Sequence, residues 1–187
     1  MLFSIIKEVL KDTLFRLSKS RIREIQGFFM YINTKEPNYS MRRTLRYYSE
    51  VPAHEPATTQ LFKDIVKPGD TVIDIGANIG YFSLLAKKLG AKKVYAFEPE
   101  RTNLYYLRKN NLINSYDIEI KNYAISNKDG VADFYLCSYD SGHHTLNQNK
   151  GIKEYRKTSL IRKLLDRGKQ DFYEVIQDRL DSIISEK

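Results

Sequence analysis

The feature that most constrains the fold of this chain is the stretch T-V-I-D-I-G-A-N-I-G-Y-F, from Thr71 to Phe82. A short apolar run ends in two closely spaced glycines, and an amphipathic pattern begins directly after them. In a parallel α/β sheet, ligands bind where a strand's carboxyl end leads into a helix, because backbone amides converge there. We therefore expect a ligand-binding strand, loop and helix at this position.

Strands and helices are predicted to alternate around this unit. The predicted strands are 71–75, 93–97 and 118–125, and the predicted helices are 57–65, 79–89 and 101–112. Apolar strands joined by helices form parallel sheets with right-handed crossovers, so we predict an α/β, Rossmann-like fold with a three-layer parallel sheet. The turn signal N-K-D-G at 127–130 leads into 131–136, which we predict to be a hairpin partner.

The N-terminal region is predicted to be separate from this sheet. Apolar residues recur at three- and four-residue steps over residues 2–18, with lysines off that stripe, which indicates an amphipathic helix. Two interpretations stay open: the helix packs on the domain that follows, or it lies on an acidic membrane surface. We predict a helical extension over residues 1–50 and a ligand-binding domain over residues 51–187.

The net charge of +8 is unevenly distributed. Residues 1–50 carry ten basic and five acidic side chains, residues 51–140 carry eleven of each, and residues 141–187 carry ten and seven. A nucleic-acid-binding chain concentrates basic charge on one recognition element, so we expect solvated helix faces and no nucleic-acid partner. The single cysteine, Cys137, and an N-terminal apolar run interrupted at Lys7 and Glu8 predict a cytoplasmic protein without signal peptide or membrane span.

An acidic residue follows the second predicted strand. Glu98 lies 22 positions after Gly76, where a carboxylate accepts hydrogen bonds from ribose hydroxyls in both nicotinamide and S-adenosylmethionine enzymes. The dinucleotide fingerprint G-x-G-x-x-G is not kept, because Asn78 replaces the middle glycine and Tyr81 stands at the third. Asp74 adds a carboxylate beside the loop, which suits a cationic ligand such as a sulfonium.

A series of motifs resembles a known family. The segments D-I-G-A-N-I-G-Y-F-S, Y-A-F-E-P-E, N-Y-A-I-S-N-K-D-G and D-S-G-H-H-T-L, with H-E-P-A-T-T-Q-L-F and K-P-G-D upstream, are similar to the front half of FkbM-type S-adenosylmethionine-dependent methyltransferases. The resemblance covers roughly residues 51 to 183. It implies a class I methyltransferase fold, S-adenosyl-L-methionine as methyl donor, and a small-molecule or glycan acceptor, with the hydroxyl on a sugar, lipid or secondary metabolite.

The resemblance also implies donor-binding positions. They are Glu55, Asp74, Gly76, Asn78, Gly80, Glu98, Ala124 and Ile125. Asp74 and the loop would line the methionine and ribose, Glu98 would hold the ribose, and backbone at the third strand tip would face the adenine. For two of these positions a second interpretation stays open, because Glu55 suits a helix cap and Asp74 suits a cap of the following turn. Asn110 and Asn114 are expected to terminate the predicted helix 101–112.

A poorly acidic hydroxyl acceptor requires a base. His143 and His144 are the catalytic candidates, although loop histidines beside Gly142 serve no catalytic role by themselves. Cys137 and Asp140 stand near them, but the spacing matches no strong ligand pattern, so no metal is expected.

The resemblance places the family's fourth strand after Lys187, so we expect the N-terminal half only, with 71–75 as an exposed sheet edge. The basic helical stretch Ile152–Leu165 is a candidate cover, and self-association or a partner chain is a candidate completion. The function expected is O-methylation. The alternatives are a truncated, non-catalytic remnant or pseudoenzyme that acts by association and, more distantly, an NAD-dependent oxidoreductase.

Overall fold

A computed structural model describes residues 2–137, 141–147 and 172–185. The helices are α1 (Leu2–Leu17), α2 (Tyr39–Glu50), α3 (Pro56–Ile65), α4 (Tyr81–Lys88), α5 (Arg101–Ile113) and α6 (Leu180–Ser185). The strands are β1 (Arg21–Ile25), β2 (Phe28–Ile32), β3 (Thr71–Ile75), β4 (Lys93–Phe97), β5 (Glu119–Lys121), β6 (Ala124–Ile125), β7 (Gly130–Tyr135) and β8 (Phe172–Asp178).

The chain divides into two compact units. The first comprises Met1–Arg21, Ile32–Glu50 and Asp133–Tyr173, and the second comprises Ile22–Tyr31, Val51–Ala132 and Glu174–Lys187. Neither unit is continuous in sequence. The predicted domain boundary at residue 50 stays a prediction.

The second unit contains the parallel sheet that the sequence predicts. Its strand order is β3-β4-β5, with Asp74 of β3 opposite Ala96 of β4, and α4 packs against both strands. The core of this unit includes Ile79, Leu84, Leu85, Val94, Phe97, Tyr106 and Leu107, which are at most 1% exposed. The predicted Rossmann-like α/β fold class is confirmed.

Strand β3 forms one edge of this sheet. Among the described residues it pairs with β4 alone, and Ile73 and Ile75 are 37% and 53% exposed. The predicted exposed edge is therefore present in the described part of the chain. The stretch Ile152–Leu165, predicted to cover it, lies outside the described residues.

The third predicted strand, 118–125, is wrong as a single element. Strand β5 ends at Lys121, and β6 begins at Ala124 in a different sheet. The N–H of Glu98 donates to the carbonyl of Lys121 at 3.0 Å, at the end of β5. The chain beyond it pairs with β8 instead, because Ala124 and Ile125 lie opposite Gln177 and Asp178.

The predicted hairpin of 131–136 with the preceding strand is also wrong. Strand β8 lies between β6 and β7, and it runs parallel to β6 with Ala124 opposite Gln177. The N–H of Ser126 donates to the carbonyl of Asp178 at 3.0 Å, so β8 already occupies the edge of β6. Strand β7 makes an antiparallel bridge from Tyr135 to Thr145 instead.

The N-terminal region contains more than helix. The predicted helix over 2–18 is confirmed as α1, but β1 and β2 form a hairpin that the sequence reading did not predict. Its turn is Gln26-Gly27, with φ of 54° and 82°, the positive pair that a tight hairpin turn requires. Alternate side chains of β2 are fully buried, as Phe28 and Met30 show. The helical extension is thus corrected to helices with a hairpin between them.

Candidate functional site

The glycine loop joins β3 to α4 and is anchored to the end of β4. The N–H groups of Gly76 and Ala77 both donate to the carbonyl of Phe97, at 2.9 and 3.0 Å. Gly76, Asn78 and Gly80 have positive φ values of 76°, 51° and 94°. Because left-handed backbone is costly for most side chains, this alternation explains why glycine and asparagine occupy these positions.

Asn78 links the loop to the neighbouring strand end. Its N–H donates to Oε2 of Glu98 at 2.7 Å, and its own Oδ1 accepts from the N–H of Ile79 at 2.8 Å. Asn78 thus combines a left-handed backbone with a hydrogen bond within the turn. The ends of β3 and β4 are thereby held together, as the parallel register predicts.

Glu98 is nearly fully buried and serves as an acceptor for three protein donors. The residue is 4% exposed. Oε1 accepts from the N–H of Glu100 at 2.8 Å and from Nδ2 of Asn103 at 3.3 Å. Oε2 accepts from the N–H of Asn78. Burial raises the pKa of Glu98 to about 7, against the lowering effect of these hydrogen bonds. A carboxylate has about four acceptor sites, so Oε2 retains one for a ligand hydroxyl.

Asp74 stands one strand away, in β3. Its carboxylate accepts from Oγ of Ser83 at 2.5 Å and from the backbone of the same residue. Ser83 is in the first turn of α4, so Asp74 caps that helix, which is the second interpretation that the sequence left open. Burial raises the pKa of Asp74, while the bonds from Ser83 lower it. A positive ligand charge beside such a desolvated carboxylate would favour its ionised form.

The two loop glycines have different roles. A Cβ on Gly76 would meet no atom within 4 Å, so open space lies beside the loop at the carboxyl end of β3. A Cβ on Gly80 would lie 2.5 Å from Cδ1 of Leu107, so Gly80 is required by the close approach of α5. Space for a ligand therefore lies at Gly76, whereas the glycine at position 80 is explained by packing.

Glu55 occupies the N-cap position of α3, with φ of 41°. Its carbonyl accepts from the N–H of Thr59 at 2.9 Å, but its side chain makes no capping hydrogen bond. That side chain is 57% exposed, with Oε1 lying 3.6 Å from Nε2 of His54. Glu55 therefore caps through its backbone only, and its side chain is placed to reach solvent or a ligand.

Ala124 and Ile125 are not at the tip of the parallel sheet. They form β6, which pairs with β8, so their predicted position at the third strand tip is wrong for the reason given above: β5 stops at Lys121. The backbone beside Glu98 at that tip is Lys121. A contact of Ala124 and Ile125 with adenine stays a prediction.

The two candidate histidines belong to the first unit, whereas the glycine loop belongs to the second. Nδ1 of His144 accepts from the N–H of Cys137 at 2.9 Å, and its ring meets Phe134 edge-on at 6.0 Å. His143 is exposed. Within residues 2–137, 141–147 and 172–185, no group of three His, Cys, Asp or Glu side chains could hold a metal ion. Asp140 lies outside those residues.

The sequence reading missed the role of Asn110. This side chain is fully buried; its Nδ2 donates to the carbonyl of Ile79 and its Oδ1 accepts from the N–H of Tyr31, both at 2.8 Å. It therefore fastens the glycine loop to the hairpin rather than terminating α5, a function that Asn114 performs at the C-cap. The available signal was its spacing, since Asn103, Leu107 and Asn110 share one face of α5.

The residues present fit S-adenosylmethionine. The open space at Gly76 lies at the carboxyl end of β3, where a ligand can approach the main chain. Asp74 and Glu98 are carboxylates near the ends of neighbouring parallel strands, where they offer negative charge to a cationic ligand and acceptors to ribose hydroxyls. These features satisfy the chemical requirements of that cofactor.

The parallel sheet, the glycine loop and the acidic strand end define a class I methyltransferase domain. The model of the family described as the TRM5/TYW2 methyltransferase domain matches residues 39–184, and the chain belongs to this family. The predicted cofactor, S-adenosylmethionine, is confirmed. The narrower FkbM assignment is not specifically supported by the family match.

Individual relatives come from several methyltransferase groups. Ribosomal protein L11 methyltransferase of Thermotoga neapolitana is 36% identical over 86 residues, covering 43% of this chain and 33% of the relative. The 31-O-demethyl-FK506 methyltransferase FkbM of Streptomyces tacrolimicus is 31% identical over 137 residues, covering 65% and 52%. The crystal structure of M. jannaschii TYW2 in complex with AdoMet is 17% identical with a TM-score of 0.39, covering 59% of this chain and 52% of that one.

These matches extend over a third to about half of each relative's own length.

The helices in the described part of the chain are too short or too polar to cross a membrane.

Proposed function

We propose that this chain is an S-adenosylmethionine-dependent methyltransferase domain that methylates a hydroxyl group. The observation that carries the proposal is the junction of the glycine loop with Glu98, where the N–H of Asn78 donates to Oε2 at 2.7 Å. This bond sets a desolvated carboxylate beside the open space at Gly76. The family assignment supplies the reaction class, and S-adenosylmethionine would supply the methyl group.

In this proposal the chain's own residues bind and orient the donor. Oε2 of Glu98 accepts one ribose hydroxyl, since its other bonds leave one acceptor site. Asp74, already bonded to Ser83, provides negative charge beside the cationic end of the ligand. The main chain at Gly76 and Asn78 forms the wall against which the ligand lies, and Glu55 reaches it from the start of α3.

The hydroxyl acceptor is supported by the FkbM relative, whose name specifies a 31-O position. That match covers 65% of this chain and includes the glycine loop and the strands around it. A sugar, lipid or secondary metabolite is the proposed acceptor class. His143 and His144 stay the candidate bases.

RNA is the second candidate acceptor. It is favoured by the TRM5/TYW2 family match and by neighbours such as the M. jannaschii tRNA m1G37 methyltransferase. The prediction of no nucleic-acid partner rests on charge: residues 51–140 carry eleven basic and eleven acidic side chains, whereas an RNA-binding surface requires a basic excess.

The non-catalytic alternative concerns the sheet edge. Because β3 pairs on one side only among the described residues, we propose that a further strand, from a partner chain or a second copy, completes the sheet in the active protein. A chain without such a strand would be a non-catalytic remnant that binds the donor weakly or not at all.

Calorimetric titration of the purified chain tests the donor class. We expect binding of S-adenosylmethionine and S-adenosylhomocysteine, and none of NAD. Binding of NAD instead would contradict the proposal and favour an oxidoreductase. Incubation with methyl-labelled S-adenosylmethionine and total tRNA then separates the acceptors, since label in RNA would contradict a hydroxyl-bearing small molecule as the sole substrate.

A further inference from the structure

The first unit carries an exposed apolar surface on its N-terminal helix. Five aliphatic side chains of α1 are between 48% and 74% exposed: Ile6, Val9, Leu10, Leu14 and Leu17. They recur at three- and four-residue steps, so they lie along one side of the helix, here named the outward face of α1.

The opposite side of α1 is acidic and packs on α2. Buried Arg42 donates through Nε and Nη2 to the two carboxylate oxygens of Asp12, at 2.9 and 3.0 Å, and Arg46 donates to Glu8. Phe15, on the same side, is 7% exposed. The two acidic residues of α1 are four positions apart, and so are the two arginines of α2. The two ion pairs therefore fix the rotation of α1 about its axis. The outward face therefore points away from α2.

This arrangement is the reverse of an ordinary amphipathic surface helix. In such a helix the apolar stripe packs on the domain and the charged side faces water. Here the ion pairs hold the polar side inward, against α2, and the apolar stripe is left in solvent. Within the first unit, α1 therefore packs on α2 through its polar side.

Basic side chains border the outward face. Lys7 and Lys11 lie on one flank and Arg16 on the other, and all three are exposed. The two acidic residues of the helix are engaged with α2, so the solvent-facing side of α1, from residue 6 onward, carries positive charge only.

We propose that the outward face of α1 docks on an anionic lipid surface. An apolar stripe bordered by cations lies in the plane of a bilayer interface, with the stripe among the acyl chains and the cations at anionic headgroups. A second copy of this chain is a poorer occupant, because a two-fold contact would oppose the same lysines on both copies. With 16 residues, α1 lies on the membrane rather than across it.

Co-sedimentation of the full chain with vesicles tests the proposal. We expect binding to equimolar phosphatidylcholine and phosphatidylglycerol, and weak binding to phosphatidylcholine alone. The double variant Leu10→Glu, Leu14→Glu should weaken binding about tenfold or more for each substitution. Because both side chains are exposed, thermal unfolding of the variant should match the wild type.

Two further variants make the outcome decisive. Lys7→Glu with Lys11→Glu should abolish the preference for anionic vesicles, while Leu112→Glu, at a side chain 75% exposed on α5, should leave binding unchanged. Equal loss with Leu112→Glu would mean non-specific adsorption and overturn the proposal. The proposal would also be overturned if wild type binds neither kind of vesicle. Conversion of a dimer to a monomer by Leu10→Glu, Leu14→Glu in ultracentrifugation would then assign the outward face to a second copy.

Discussion

The N–H of Asn78 and Oε2 of Glu98 lie 2.7 Å apart, a hydrogen bond between residues 20 positions apart in the chain. The bond joins the glycine loop after β3 to the end of β4. It also fixes the one oxygen of Glu98 that retains an acceptor site for a ligand. The loop and the carboxylate are therefore one structural unit, and a substitution in either should change the affinity for the donor.

Affinity for S-adenosylmethionine should depend on pH through Glu98. Its pKa is raised to about 7, mainly by burial, and the proton would occupy the acceptor site that a ribose hydroxyl uses. The dissociation constant should therefore rise about tenfold between pH 8 and pH 6. Calorimetry at several pH values measures this, and Glu98→Gln should give a flat profile. A wild-type profile as flat as that of the variant would contradict the role of Glu98.

Glu98 should lower the stability of the ligand-free chain as the pH rises, whereas most carboxylates raise it. Because the pKa of Glu98 is raised from 4.5 to about 7, the folded state binds its proton more tightly than the unfolded state does. The contribution of Glu98 to the free energy of unfolding should thus be highest below pH 4.5, fall as the pH rises to about 7, and level off above it. Denaturant titrations of wild type and Glu98→Gln isolate this contribution. A difference in the free energy of unfolding that stays constant with pH would refute it.

The two loop glycines should respond differently to alanine. Gly80→Ala places a Cβ 2.5 Å from Cδ1 of buried Leu107, so overpacking should cost about 1–3 kcal/mol beyond the cost of a positive φ. Gly76→Ala meets no atom and should cost only about 1–2 kcal/mol for its left-handed backbone. Urea denaturation compares them. Equal losses would show that the contact with Leu107 does not constrain the loop.

Asn110 should contribute more stability than Asn114, although each makes hydrogen bonds to hairpin backbone. Asn110→Ala leaves the buried carbonyl of Ile79 and the N–H of Tyr31 unpaired, at a cost of about 2–4 kcal/mol. Asn114→Ala removes solvent-accessible bonds to Phe29 and should cost about 1 kcal/mol or less. Chemical denaturation of both variants measures the difference, and a larger loss for Asn114→Ala would contradict the role of Asn110 in fastening the glycine loop to the hairpin.

Local patterns predicted the parallel sheet well. Strands β3 and β4 match their predicted bounds because each is a short apolar run between turn signals. The proximity of Asp74 and Glu98 also followed from sequence, since the carboxyl ends of neighbouring parallel strands meet at one edge. Helix α1 was evident from its period, but the side on which it packs was not, because that depends on arginines in α2.

Longer-range effects were missed. The Gln26-Gly27 turn lacks the usual asparagine or aspartate, so the hairpin was overlooked. Residues 124 and 125 leave the β5 alignment to pair with β8, more than 45 residues later in the chain, which no local reading of 118–125 reveals. The three donors on Glu98 come from packing of the loop and α5, so sequence predicted a ribose-binding carboxylate but not that one acceptor site remains.

Titration of S-adenosylmethionine into wild type, Glu98→Ala and Glu100→Ala tests the central claim most directly. Glu100 is also a buried carboxylate at the start of α5, but its side chain caps that helix through the N–H of Asn103, so it controls for loss of buried charge. We predict that wild type binds, that Glu98→Ala weakens binding at least tenfold, about 1.4 kcal/mol, and that Glu100→Ala binds within about threefold of wild type. Folded wild type that does not bind, or Glu98→Ala that binds as well as wild type, would contradict the account.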